Sequence, residues 1–147
     1  MVDFEIKVEG LQEIVNQMHA FPRTLNQEIQ QTMAQSLDVL QEKVPDYPPK
    51  PANSTYDRTF LLWNSLTVSD HQLHIAKTEK LGNMHQASFG SKVEYAPYVI
   101  SDEMQAEVHQ GWWWTMSVIV ERAKDKITQL FELLAERLAQ FLEGKGS

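Results

Sequence analysis

The sequence predicts an α+β fold: a small antiparallel sheet packed by a long helix in the N-terminal half and a long C-terminal helix, with a Pro-rich loop. Three observations predict it. Apolar residues recur at helical spacing in two long stretches, short alternating runs open the chain and fill its middle, and four of the six prolines fall within seven positions. With 147 residues the chain reads as one domain, 1–147. A chain of this length buries roughly 68–70% of its unfolded surface, enough for one core without staples.

The elements follow in order. Phe4, Ile6 and Val8 alternate with Asp3, Glu5, Lys7 and Glu9, the period of a half-buried strand. Gly10 punctuates, and Leu11, Ile14, Val15 and Met18 fit a short helix. Pro22 divides it from a longer one, because an internal proline costs about 3 kcal/mol. The apolar stripe of that second helix is Leu25, Ile29, Met33, Leu37, Leu40 and Val44; Asn26, Gln27, Gln30, Gln31, Gln35 and Gln41 form its solvated side. Residues 45–58, which hold Pro45, Pro48, Pro49 and Pro51, read as a stiff, extended loop. Loops this long inside a compact domain are often functional.

Residues 66–69, 72–78 and 84–90 read as short strands, with Gly82-Asn83 as a turn between the last two. Leu73, Ile75 and Lys77 would share one face of the middle run, and His74 and Ala76 the other. Pro97 removes 95–100 from any central strand. Met116, Ile119, Val120, Ala123, Ile127, Leu130, Phe131, Leu134, Leu138 and Phe141 then mark one helical stripe, with Gly144 as its stop. There is no internal repeat.

Composition excludes several classes. Without cysteine there is no disulfide scaffold, zinc–thiolate site or thiol catalysis. Thirteen Lys and Arg against twenty Asp and Glu leave a net charge of −7, so the basic stripe of a duplex-gripping protein is absent and no specific nucleic-acid binding is expected. That charge is uneven: −4 over residues 1–50, −3 over 51–111 and zero over 112–147. No apolar run approaches the roughly eighteen residues of a membrane span. The acidic N-terminus lacks a signal peptide's basic-then-apolar order. The expectation is a soluble protein of a reducing compartment, without membrane contact.

The catalytic candidates are thin. His71 and His74 would point to opposite faces of a strand. His109 lies near Glu103 and Glu107 without a ligand signature as tight as H-E-x-x-H. There is no G-x-S-x-G elbow, Walker loop or dinucleotide fingerprint. The reading is no enzyme, no metal and no cofactor; a hydrolase using His109 with a nearby acid is the weakest of three classes considered. The least ordinary feature is the run Trp112, Trp113 and Trp114. On a helix consecutive side chains diverge by about 100°; on an extended segment Trp112 and Trp114 share a side that Trp113 opposes. At least one indole should therefore leave the core, either to pack on the Pro-rich loop or to anchor a protein interface, where Trp is enriched among hot spots.

Several stretches together resemble a known family. These are Ile6-Lys7-Val8-Glu9-Gly10-Leu11 with the helices after it; Tyr47-Pro48-Pro49; Ser54-Thr55-Tyr56; Arg58-Thr59; Leu62 and Ser65-Leu66; the string from Gly90 through Tyr95, Pro97 and Tyr98 to Val99; and Gln105, His109 and Gly111-Trp112 to Thr115. The ordered set resembles the Hong Kong phage tail-component family of tailed-phage minor tail and head–tail joining (neck) proteins. Departures are specific. Phe60 stands where the family's Arg-Thr-Gly-x-Leu element has glycine, Leu62, Trp63 and Asn64 replace basic residues, and Ile100-Ser101-Asp102 replaces a Phe-Gly-Thr run.

The resemblance implies an α+β virion component that joins head (connector) to tail, or completes the tail end, through ring assembly. It would be made in the bacterial host cytoplasm and end at the head–tail junction or tail of the particle. Its expected partners are other phage neck, tail or connector proteins and copies of itself in a homo-oligomeric ring, with DNA passing through a lumen that an acidic wall would not retain. Tyr47, Pro48, Pro49, Tyr56, Arg58, Phe60, Trp63, Tyr95, Tyr98, His109, Trp112, Trp113 and Trp114 are the expected contact or loop-anchoring residues; Tyr95, Tyr98 and one tryptophan have plain core as their alternative. A small host- or prophage-encoded adaptor or inhibitor is the runner-up.

Overall fold

The chain is α+β. The computed structural model describes residues 2–8, 22–49, 60–82 and 84–145. The short helix expected after Gly10 lies outside the described residues, as do Asn83 of the expected turn and Tyr56 and Arg58 of the Pro-rich loop.

Strand β1 (Val2–Val8) leads to helix α1 (Pro22–Glu42), short helix α2 (Leu61–Thr67), strands β2 (His74–Leu81) and β3 (Met84–Ser91), short helix α3 (Ala96–Ile100), a 3₁₀ turn at Glu107–His109 and helix α4 (Met116–Lys145). The three strands form one antiparallel sheet in the order β1-β3-β2, so β3 is central. Gly82, at φ 61°, supplies the left-handed residue that the tight β2–β3 hairpin needs.

Register explains the layering. Ala76 lies opposite Phe89 and Thr78 opposite Ala87, and paired residues share a face. Phe89 and Ala87 are fully buried in one cluster with Leu25, Ile29, Met33, Leu37 and Leu40 of α1 and with Ile119, Ala123, Leu134 and Leu138 of α4. Helix α1 thus lies on the sheet and beside α4. Ion pairs Glu28–Arg137 (3.1 Å) and Glu42–Lys126 (3.4 Å) show the two helices running antiparallel. Helix α1 also buries Thr32 and Ser36, whose hydroxyls donate to the carbonyls of Glu28 (2.9 Å) and Thr32 (2.8 Å), so neither is left unpaired.

Three sequence expectations are corrected. Residues 66–69 are not a strand: Leu62 and Leu66 sit four apart on a buried helical face, and α2 ends at Thr67. The β-branched Thr67 and Val68 suggested strand, but packing of the preceding turn overrides that preference. The run at 72–78 is shifted, because the His74 amide donates to the His71 carbonyl (3.1 Å) and closes a turn before β2 begins. Gly144 does not stop the last helix, which runs to Lys145. Within residues 95–100, denied a central strand by Pro97, Tyr95 is the N-cap and Ala96–Ile100 form α3, with the proline in its first turn where a missing N–H costs nothing.

Candidate functional site

The Pro-rich segment leaves α1 and crosses to the tryptophans. Pro45, Pro48 and Pro49 have no N–H, so this strap offers many acceptors and few donors. Indole is a donor only. The two chemistries meet three times: Trp63 Nε1 donates to the Pro45 carbonyl (3.0 Å), Trp114 Nε1 to that of Asp46 (3.1 Å) and Trp112 Nε1 to that of Pro49 (2.9 Å). Tyr47 enters between Phe60 and Trp113, with ring centroids at 4.2 and 5.1 Å. Pro48 is buried and Pro49 exposed.

The backbone sets the tryptophan directions. The His109 carbonyl accepts the amides of Trp112 (3.0 Å) and Trp113 (2.9 Å), and Gly111 takes φ 76°. Past that turn, Trp112 and Trp114 reach the strap while Trp113 and Trp114 pack against the core cluster, and Trp112 keeps 42% of its surface exposed. Of the two expectations for the run, packing on the Pro-rich loop is what the geometry shows for Trp112 and Trp114. His109 itself enters through its backbone, its amide bonded to the Ala106 carbonyl (2.9 Å).

Phe60 precedes α2 with φ 58° and ψ 12° and is 45% exposed. It is the one non-glycine residue at positive φ among the described residues. A left-handed backbone costs an L-residue about 1–2 kcal/mol, and here the ring contact with Tyr47 offsets it. The position at which the resembled motif carries glycine is therefore a position whose backbone favours glycine.

The segment after β3 forms the flank of this corner. Tyr95 and Tyr98 are 43% and 54% exposed, so core is not their role. The chain folds back on α3 through Ala106 N–H to the Tyr98 carbonyl (2.8 Å). Gln105 Nε2 clamps the carbonyls of Val99 (2.7 Å) and Trp113 (3.1 Å). Asp102 accepts from Thr115 Oγ1 (2.6 Å), Ser117 Oγ (2.6 Å) and Ser117 N (3.1 Å), capping the N-terminus of α4 from outside the helix. Burial acts to raise its pKa, and the hydrogen bonds from Ser117 and Thr115 together hold it below the ordinary carboxylate value. The Pro45 and Asp46 carbonyls and the Asp102 cap were not among the expected site residues. Each pairs with a residue 13 or more positions away, so no local pattern announces it.

A second polar group is buried beneath α2. Ser65 Oγ and Ser91 Oγ are 2.6 Å apart, and His74 Nδ1 lies 2.7 Å from the Ser65 carbonyl, its ring edge-on to Phe89 at 5.7 Å. Ser65 Oγ also donates to the Leu62 carbonyl, and the Val93 amide to Ser91 Oγ. These bonds tie α2 to β2 and β3. Among the described residues no group of three or more His, Asp or Glu could hold a metal, and no helix is long and apolar enough to cross a membrane.

Comparison of the chain with family models, curated proteins and solved structures finds no match.

Proposed function

We propose that this chain is a non-catalytic structural protein of a tailed bacteriophage or prophage, joining head (connector) to tail or completing the tail end as a subunit of a ring. The observation that carries the reading is convergence. Segments of the resembled pattern that lie far apart in sequence, Tyr47-Pro48-Pro49, the residue after Arg58-Thr59 and the Gly111-Trp112 to Thr115 run, meet in one hydrogen-bonded aromatic corner. The left-handed backbone at Phe60 supports it further, because it gives a physical reason for the glycine of that pattern. Exposed aromatic residues beside a rigid scaffold suit recognition of another protein.

On this reading the partners are connector, neck or tail proteins and further copies of the chain, assembled in the bacterial cytoplasm and retained in the virion, with DNA passing through the ring. Native mass analysis with negative-stain imaging, alone and with connector and tail-tube proteins, tests it. Rings or stable complexes with those proteins are expected. A strict monomer indifferent to all of them overturns the reading and leaves the adaptor or inhibitor class ahead.

A further inference from the structure

Between Lys92 and Arg122 the chain carries no Lys or Arg, but it carries Glu94, Asp102, Glu103, Glu107 and Glu121, all exposed. The same stretch holds Tyr95, Tyr98, Met104, Val108 and Trp112, five of the nine large apolar residues exposed among the described residues, with Val108 at 79%. The 101–112 segment is folded back on α3 by Ala106 N–H to the Tyr98 carbonyl and by the Gln105 clamp on Val99 and Trp113. Asp102 is engaged at the start of α4. Glu94, Glu103 and Glu107 form no ion pair among the described residues.

We infer that residues 94–112 form a docking face for a cationic protein surface, one whose apolar centre is bordered by Arg or Lys. The aromatic rings and Met104 and Val108 supply the apolar contact. The free carboxylates take the cations, and guanidinium groups stack on Tyr95, Tyr98 and Trp112. Two other occupants fit worse. Nucleic acid meets the same carboxylates with like charge. A second copy related by a two-fold would bring carboxylate against carboxylate, and a copy in a ring would bring its own net charge of −7 to this face. The inference deepens the joining reading, and rests on it, in taking this face as the joint.

The test needs no phage protein. An amphipathic helical peptide of Arg and Leu, its Glu-for-Arg counterpart and its Gln-for-Arg counterpart are titrated into the full chain. All four tryptophans lie at this corner, so their fluorescence reports binding, and amide exchange locates it. The Arg peptide is expected to bind with protection confined to 94–112, and raising salt from about 50 to about 500 mM should weaken it about tenfold. The double variant Glu103→Lys/Glu107→Lys should also lose about tenfold or more, whereas Glu132→Lys/Glu136→Lys on α4, with the same change in net charge, should stay within about twofold. Equal loss in both variants overturns the inference, since net charge alone would then explain binding. Equal binding of the Glu or Gln peptide overturns it too, and so does self-association that Glu103→Lys/Glu107→Lys abolishes. Failure here with rings still formed on connector or tail proteins would reject this face and leave the joining reading standing.

Discussion

At Phe60 two opposing terms act on one residue. Its left-handed φ of 58° is unfavourable, and its ring lies 4.2 Å from that of Tyr47. Glycine would remove the backbone cost and lose the ring contact, which is worth about 0.5–1.5 kcal/mol. Valine would keep the cost, worsen it through its β-branch and lose the contact as well. In urea unfolding, Phe60→Gly should therefore lie within about 1 kcal/mol of wild type, while Phe60→Val should lose about 1–3 kcal/mol. His85 makes a pH prediction. It is buried on β3 opposite Lys80, and burial first, then the lysine charge, lowers its pKa below 6.5. A histidine lowered in the native state is protonated first in the unfolded one, so its contribution is complete above pH 6.5 and is lost as pH falls toward the native value. The urea midpoint should drop on acidification below pH 6.5, and the drop should shrink in His85→Gln.

Between elements, the strap and the tryptophans hold each other. Replacing a tryptophan by phenylalanine keeps a ring and removes the N–H, leaving a strap carbonyl without its donor. Trp63→Phe should cost about 1 kcal/mol, because its bond is partly buried, and Trp112→Phe less, since its exposed acceptor regains water. Paired urea titrations check the order. At the start of α4, Asp102→Ala removes the acceptor of three hydrogen bonds and an anion near the positive end of the helix dipole. A loss of about 0.5–2 kcal/mol is expected near neutral pH. It should vanish in acid, since a carboxyl with a lowered pKa gives its stability above the ordinary value of 3.8 and surrenders it as pH falls through the native one. This scale also separates what the sequence announces from what it hides. Leu25, Ile29, Met33, Leu37 and Leu40, and later Ile119, Ala123, Leu134 and Leu138, are buried where their helical period puts them. Periodicity is local and survives folding. Helix α2 was hidden because Phe60 offers no side-chain cap and seven residues hold too few turns to show a period. The strap contacts were hidden because they span up to 68 residues, and only the folded path of the chain between them brings Asp46 to Trp114.

For the whole molecule, central strand, long helices and α3 share one cluster, so the chain should unfold as a unit. Phe89 is fully buried on that strand, and Phe89→Ala should remove about 3–5 kcal/mol, a large part of the roughly 5–15 kcal/mol of a domain. Far-ultraviolet circular dichroism and tryptophan fluorescence should shift together. Charge then sets how the folded chain associates. Each copy carries −7, so the proposed ring would set like charges at close range, and salt would screen that repulsion. The docking of a cationic surface inferred for 94–112 would be an attraction, and salt would screen that as well. The two associations therefore depend on ionic strength with opposite sign. Self-association measured by sedimentation should rise from about 0.05 to about 0.5 M salt while binding of the Arg peptide falls. Self-association that weakened with salt would mean that attraction between opposite charges, not the shared charge of −7, governs how copies meet.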